Sequence, residues 1–200
     1  MAIVDYYLSL NSPWTFLGAQ RFAEIVKRHG AMVRTKPTNF GEVFAATGGL
    51  PLPKRAPERQ AYRMMELKRW RAHLDVPIVL EPEFFPSDET AGVRLVVAAE
   101  LAGLDALAIS IEIGRELWER DHNIGEESAL KTAVTRAGVD YEALTQSMPD
   151  DAQLDAVWAA NTKEAVSRGV FGAPSYVLEN GEIFWGQDRV EFVDRALAAL

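Results

Sequence analysis

The sequence predicts an α/β domain in which a β-α-β start and a β-β-α end enclose a long helical insertion. Three observations carry this. Residues 2–8 and 32–38 are β-rich runs on either side of one amphipathic helical stretch. From about residue 58 to residue 167 the apolar spacing is helical almost throughout, punctuated by proline and glycine. After Gly169 two short strand-like runs meet at an Asn-Gly pair, and a last helical stretch comes after them.

The first strand reads Ile3-Val4-Asp5-Tyr6-Tyr7-Leu8. Ser12 then stands where a helix N-cap belongs, and Pro13 at the first helical position, where a missing N–H costs nothing. From Trp14 to about His29 the stripe Ala19, Phe22, Ile25, Val26 makes the helix amphipathic, and Gly30 stops it. Met32 to Thr38 is the second strand, and a right-handed crossover makes the pair parallel. Gly41 to Pro57, rich in Gly and Pro, is expected to be an irregular loop. Helices are expected at 58–74, 88–102, 105–121, 126–137, 140–147 and 150–168. Asp105, Asp140 and Asp150 are their N-caps, and Gly103 and Gly138 their C-terminal stops. Ser175-Tyr176-Val177-Leu178 and Glu182-Ile183-Phe184-Trp185 form a hairpin about Asn180-Gly181, and a helix runs from about Asp188 to Leu200. The outer pieces complete a four-stranded mixed sheet with flanking helices, which is the thioredoxin pattern. Residues 1–40 and 169–200 form that thioredoxin-like domain, and 41–168 an all-helical insertion.

Composition excludes several function classes. A formal charge of −8, from 29 acidic and 21 basic residues, disfavours nucleic acid, which needs a concentrated basic face. The basic cluster from Lys54 to Arg71 is interleaved with Glu58 and Glu66, as on a solvated helix face. No signal-peptide pattern opens the chain and no apolar run approaches the ~18 residues of a membrane span, so neither secretion nor a membrane partner is expected. There is no cysteine, which excludes disulfides and thiolate metal sites, and His29, His73 and His122 have no ligand spacing, so no metal is expected.

Three constellations bear on chemistry. Ser12-Pro13-Trp14-Thr15 opens a helix directly after a strand, where thioredoxin folds carry Cys-x-x-Cys. Alone it is a helix cap; at the carboxyl end of a sheet strand it also aims free N–H groups and positive dipole at whatever docks. With serine first, any sulfur must come from outside the chain. In Val170-Phe171-Gly172-Ala173-Pro174-Ser175, the proline forces Ala173 to be extended before a strand. A trans bond is the ordinary state of X-Pro; a cis bond presents the Ala173 backbone to an extended peptide. In Trp185-Gly186-Gln187-Asp188-Arg189-Val190-Glu191, Asp188 and Glu191 match a capping box, and the same helix start suits an amino-acid head group. The loop 47–53 with Lys54 reads as a lid or a dimer contact, and the helical residues Tyr62, Met65, Glu66, Arg69 and Trp70 as a core-packing stripe.

Taken together, these segments resemble 2-hydroxychromene-2-carboxylate isomerases and the related kappa-class glutathione transferases, and the resemblance runs along the whole chain. It is carried by Asp5-Tyr6-Tyr7-Leu8-Ser9 into Ser12-Pro13-Trp14-Thr15-Phe16-Leu17, by Gly169 to Pro174, and by Trp185-Gly186-Gln187-Asp188-Arg189. The resemblance implies glutathione as cofactor. It implies a thiolate stabilised at Ser12 with Pro13 and Trp14, a cysteinyl unit paired with Ala173 before a cis Pro174, and a γ-glutamyl end held at Gln187, Asp188 and Arg189. It further implies a homodimer, a small aromatic substrate, and isomerisation by reversible thiolate addition in the cytoplasm. The family's asparagine in the Gly/Pro loop is missing at Gly49-Leu50-Pro51, with Asn39 nearby in sequence. Two other readings stay open: a glutathione transferase or peroxidase on another electrophile, and a non-catalytic thioredoxin-like binding module.

Overall fold

Strand β1 (Ile3–Leu8) is the centre of the architecture in the computed structural model, which describes residues 1–200. Val4, Tyr6 and Leu8 face one side of the sheet and join the main core with Phe22 and Tyr176. Tyr7 faces the other side, against Phe40, Val43, Val170 and Val177. A strand covered on both faces reads as a nearly continuous apolar run, as this one does. Its exception is Asp5, buried among Arg34, Lys36 and Arg168.

Helix α1 (Pro13–His29) starts at the Ser12 cap and ends at Gly30, whose φ of 60° is the left-handed stop expected there. Strand β2 (Met32–Pro37) returns parallel to β1, Ile3 opposite Met32 and Leu8 opposite Pro37. The next segment departs from expectation. Phe40–Thr47 is a helix, α2, not irregular loop. Asn39 caps it, Phe40 and Val43 bury on one side, and Gly48 closes it at φ 79°. The Gly/Pro-rich composition therefore governs only the stretch after Thr47, where one short 3-10 turn, Leu52–Lys54, is the only regular piece before residue 57.

Helices α3 (Pro57–Leu74), α4 (Thr90–Leu101), α5 (Ala106–Trp118), α6 (Glu127–Arg136), α7 (Tyr141–Ser147) and α8 (Asp151–Ser167) succeed one another as the spacing predicts. Asp105, Asp140 and Asp150 each accept a backbone N–H from the first turn of their helix. The stripe expected to pack from α3 instead faces outward: Tyr62 and Met65 are 54% and 47% exposed. The buried side of α3 runs through Met64, Leu67 and Leu74, rotated away from Tyr62 and Met65. Trp70 lies between the two and is half-buried.

Strands β3 (Ser175–Leu178) and β4 (Ile183–Trp185) form the hairpin. Gly181 N–H closes its turn onto the Leu178 carbonyl at 2.9 Å, and Gly181 sits at φ 87°. Glycine thus takes the left-handed position of the loop, as such hairpins require. Helix α9 (Val190–Ala198) ends the fold. The sheet order is β2-β1-β3-β4, with β1/β2 parallel and the other pairs antiparallel. One contiguous core of 34 buried residues joins the sheet to the inserted helices. No helix is long and apolar enough to cross a membrane.

Candidate functional site

Sheet register brings the three sequence constellations to one place. Tyr7, near the end of β1, pairs with Ser175, the first residue of β3, and Ser175 pairs with Trp185, the last of β4. The chain beyond β1 leads to Ser12, the chain before β3 is Ala173-Pro174, and the chain after β4 is Gly186 to Arg189. All three must therefore emerge at the same end of the sheet. The Gly186 N–H bonds the Pro174 carbonyl at 2.9 Å and ties two of them directly.

Ser12 lies half-buried with extended backbone at φ −87°, and its Oγ accepts the Thr15 N–H at 3.2 Å. It is the helix cap the sequence predicts. The hydroxyl proton has no acceptor within the protein. Pro13 has no N–H, and the Trp14 N–H has no partner, so the helix start keeps an unused donor beside that hydroxyl. No acidic residue sits in the first turn of α1, and Lys27, Arg28 and His29 sit in the last, so the dipole's positive end is unopposed. Pro13 is buried, and Trp14 packs partly into the core.

The turn is held from its far side by residues with no signature in the sequence. Glu89 accepts the Ser9 hydroxyl at 2.9 Å and the Asn11 N–H at 3.0 Å. The Asn11 side chain donates to the Ser87 carbonyl at 2.9 Å and accepts the Ser87 N–H at 3.0 Å. Burial pushes the Glu89 carboxyl above its usual range, against the opposing pull of the Asn11 N–H and the Ser9 hydroxyl. Nothing local in Ser87-Asp88-Glu89 announces a partner 78 residues upstream.

The Ala173–Pro174 peptide is cis, as is Phe85–Pro86, for which the sequence carries no sign. The backbone N–H and C=O of half-buried Ala173 have no hydrogen-bond partner in the chain, whereas the flanking Gly172 carbonyl takes the Ser175 hydroxyl at 2.7 Å. A β-carbon on Gly172 would collide with the Trp185 indole nitrogen, so glycine is what lets Trp185 lie over this loop. Trp185 and Phe171 pack ring to ring at 4.7 Å, both half-exposed.

Asp188 and Arg189 are exposed and paired with each other at 2.9 Å. The capping box expected of Asp188 and Glu191 does not form. Gln187–Arg189 is a short 3-10 turn, and α9 begins after it with no side-chain cap. Gly186 has φ 104°, and a β-carbon there would stand 2.6 Å from Asp188 Oδ1. Gln187 differs from its expected role: it is buried, its carbonyl accepting Arg21 Nη2 at 2.9 Å and its side chain bonded to the same group. Its side chain fastens this segment to α1 and does not face outward. Asn39 is likewise committed to capping α2, accepting the Gly41 N–H at 3.0 Å and donating to Glu42 at 2.9 Å.

The site thus offers an unengaged hydroxyl at a helix N-terminus, an open backbone edge, and an exposed ion pair. That set suits a small extended peptide carrying an anionic atom and an amino-acid head group. The class that the fold defines is the thioredoxin-like proteins. The DSBA-like thioredoxin domain matches residues 3–198, and the chain belongs to that family. A 2-hydroxychromene-2-carboxylate isomerase of Sphingobium xenophagum is 26% identical over 196 residues, covering 97% of each chain. Glutathione S-transferase kappa 1 of Caenorhabditis elegans is 25% identical, covering 95% of this chain and 88% of its own. A solved 2-hydroxychromene-2-carboxylate isomerase structure superposes with a TM-score of 0.79 at 24% identity, over 98% of this chain and 95% of that one.

Proposed function

We propose that the protein is a glutathione-dependent isomerase of 2-hydroxychromene-2-carboxylate-like aromatic compounds, converting them reversibly to the trans-o-hydroxybenzylidenepyruvate form. The observation that carries this reading is the convergence, by sheet register, of an unengaged Ser12 hydroxyl, an unpaired Ala173 backbone and the exposed Asp188–Arg189 pair. The chain has no cysteine of its own, and these residues fit a sulfur nucleophile that arrives with a tripeptide. Glutathione, when bound, supplies a thiolate able to add to a conjugated ring and leave again.

The remaining work falls to this chain. Ser12 Oγ already accepts the Thr15 N–H and its hydroxyl has no acceptor in the chain, so it would be free to donate to the sulfur, favouring the ionised form. The start of α1 adds its dipole and the free Trp14 N–H. Ala173 pairs its backbone with the cysteinyl unit, fixing the sulfur's position. Asp188 and Arg189 exchange their mutual pairing for the ammonium and carboxylate of the γ-glutamyl end. The Glu89–Asn11–Ser87 clamp keeps Ser12 in place. Holding the sulfur ionised and aimed is the contribution of the protein.

The test is an activity panel with and without glutathione, covering a hydroxychromene carboxylate, a chlorinated aromatic and a hydroperoxide. Isomerisation dependent on glutathione is expected. Turnover of only the chlorinated compound or the hydroperoxide would assign a transferase or peroxidase, and absence of glutathione binding at millimolar concentration would leave a non-catalytic module.

A further inference from the structure

Two arginines of the inserted segment, Arg55 and Arg63, stand without an anion to meet them. Arg63 of α3 is half-buried with its guanidinium over the Phe85 ring, 5.6 Å from the centroid, and its only hydrogen-bond partner is the Met64 sulfur at 3.6 Å. Arg55 is half-buried over the Phe44 ring at 5.7 Å, and only its Nε is engaged, donating to the Leu50 carbonyl at 2.7 Å. Neither forms an ion pair. Half-buried Arg94, Arg115, Arg120 and Arg168 all do, and half-buried Arg21 is bonded to Gln187 instead. Burial, and then the positive charge of Arg55, push the Arg63 guanidinium below its usual value. A partly desolvated cation beside a like charge is costly unless an anion completes it.

Their supporting rings belong to segments that are tied to the site's own segments. Phe44 packs against the small core cluster that Ala173 also packs against. Phe85 lies two residues before Ser87, which Asn11 clasps beside Ser12. The arginines belong to the Gly/Pro loop and the helix after it, which the glutathione contacts leave unused.

We propose that Arg55 and Arg63 together receive a carboxylate of the acceptor substrate, and so select anionic aromatic acceptors over neutral ones. This rests on the reading of the Ser12 end as a glutathione site, and its test separates the two. Binding of trans-cinnamate and of neutral cinnamamide to the glutathione-loaded protein is measured by calorimetry, beside binding of glutathione itself. The wild-type protein is expected to prefer cinnamate by about tenfold, the scale of one charge-assisted hydrogen bond. Arg63→Met abolishes the preference, Arg63→Lys restores part of it, and neither moves the glutathione affinity. Unchanged glutathione affinity also reports that the variants are folded; if Arg63→Met does not fold, Arg55→Met serves the same comparison. Equal binding of cinnamate and cinnamamide by the wild-type protein overturns the proposal. So does a loss confined to glutathione in the variants, which would give the arginines to the cofactor's own carboxylate. If glutathione does not bind at all while the cinnamate preference persists and depends on Arg63, the cofactor reading fails and the carboxylate site stands.

Discussion

Replacing Ser12 separates two roles that one oxygen performs. The Oγ accepts the Thr15 N–H at 3.2 Å, which is the cap, and its proton has no acceptor within the chain, which leaves it for the sulfur under the function proposed above. A hydrogen bond to a charged group contributes about 1.5–3 kcal/mol. At about 1.4 kcal/mol per pH unit, losing it raises the pKa of the bound glutathione thiol by about one to two units. The helix start remains and its contribution of about 0.3–1 kcal/mol persists, so the thiol stays more acidic than in free glutathione. Ser12→Ala also removes the cap, costing about 1 kcal/mol of stability. Ser12→Asp keeps the cap but sets a carboxylate against the sulfur, so stability holds while the thiol pKa rises further than in the alanine variant. The assay is ultraviolet titration of the bound thiolate, with calorimetry to fix the bound fraction and urea unfolding to read stability. A thiol pKa in bound Ser12→Ala equal to that of the wild-type complex would refute the reasoning and leave Ser12 a cap alone.

Asp188→Asn is expected to weaken glutathione about tenfold, one charge-assisted contact, while leaving cysteinylglycine, which lacks the γ-glutamyl end, unaffected; equal losses for both would move the head-group contact elsewhere. Asp5→Asn strips a buried carboxylate from Arg168, Lys36 and Arg34 and is expected to cost about 3 kcal/mol in urea unfolding at neutral pH. Burial alone would push the Asp5 carboxyl up, but Arg168, Lys36 and Arg34 more than offset it, so its folded pKa lies below the unfolded one. Its stabilisation is therefore complete above the unfolded pKa and is lost as pH falls through the folded one; the asparagine variant should lack that acid-side loss, and parallel pH profiles would contradict the assignment. Gly172→Ala drives a methyl group into the Trp185 indole and should lower stability by about 1–3 kcal/mol, read as the urea midpoint; an unchanged midpoint would mean that Trp185 moves aside freely.

Much of the fold is legible because local signals and global topology agree. Capping aspartates at 105, 140 and 150 and left-handed glycines at 30, 103 and 138 mark helix ends with their own chemistry. Helix α2 is hidden because glycines at 41, 48 and 49 dilute a short apolar spacing, and its cap, Asn39, lies just before the glycine-rich stretch. The α3 stripe is misplaced because Tyr62 and Met65 outweigh Leu67 in an apolar count, although Leu67 is the residue the fold buries. Of the site, Ser12, Ala173 and Asp188 are legible since each stands at a strand or helix end. Gln187 is not, because its burial comes from Gly18, where an added β-carbon would stand 2.9 Å from the Gln187 β-carbon. The Glu89 clamp is a long-range contact with no local trace.

That clamp bears on how such a site divides its labour. Ser12, Ala173 and Asp188 hang from neighbouring strands, so their relative positions are set by backbone register, which side-chain substitution scarcely alters. The insertion touches this frame through Glu89 and Ser87, which reach the turn at Ser9 and Asn11 and never Ser12 itself. Arg55, Arg63 and their supporting rings lie in the same inserted segment but outside the clamp. Under the proposed function, a substitution at Arg55 or Arg63 then changes which acceptor is received without disturbing the sulfur's seat, whereas one at Glu89 changes the seat for every acceptor. Glu89→Ala should accordingly lower turnover of carboxylated and neutral acceptors by the same factor, and Arg63→Met only that of the carboxylated ones.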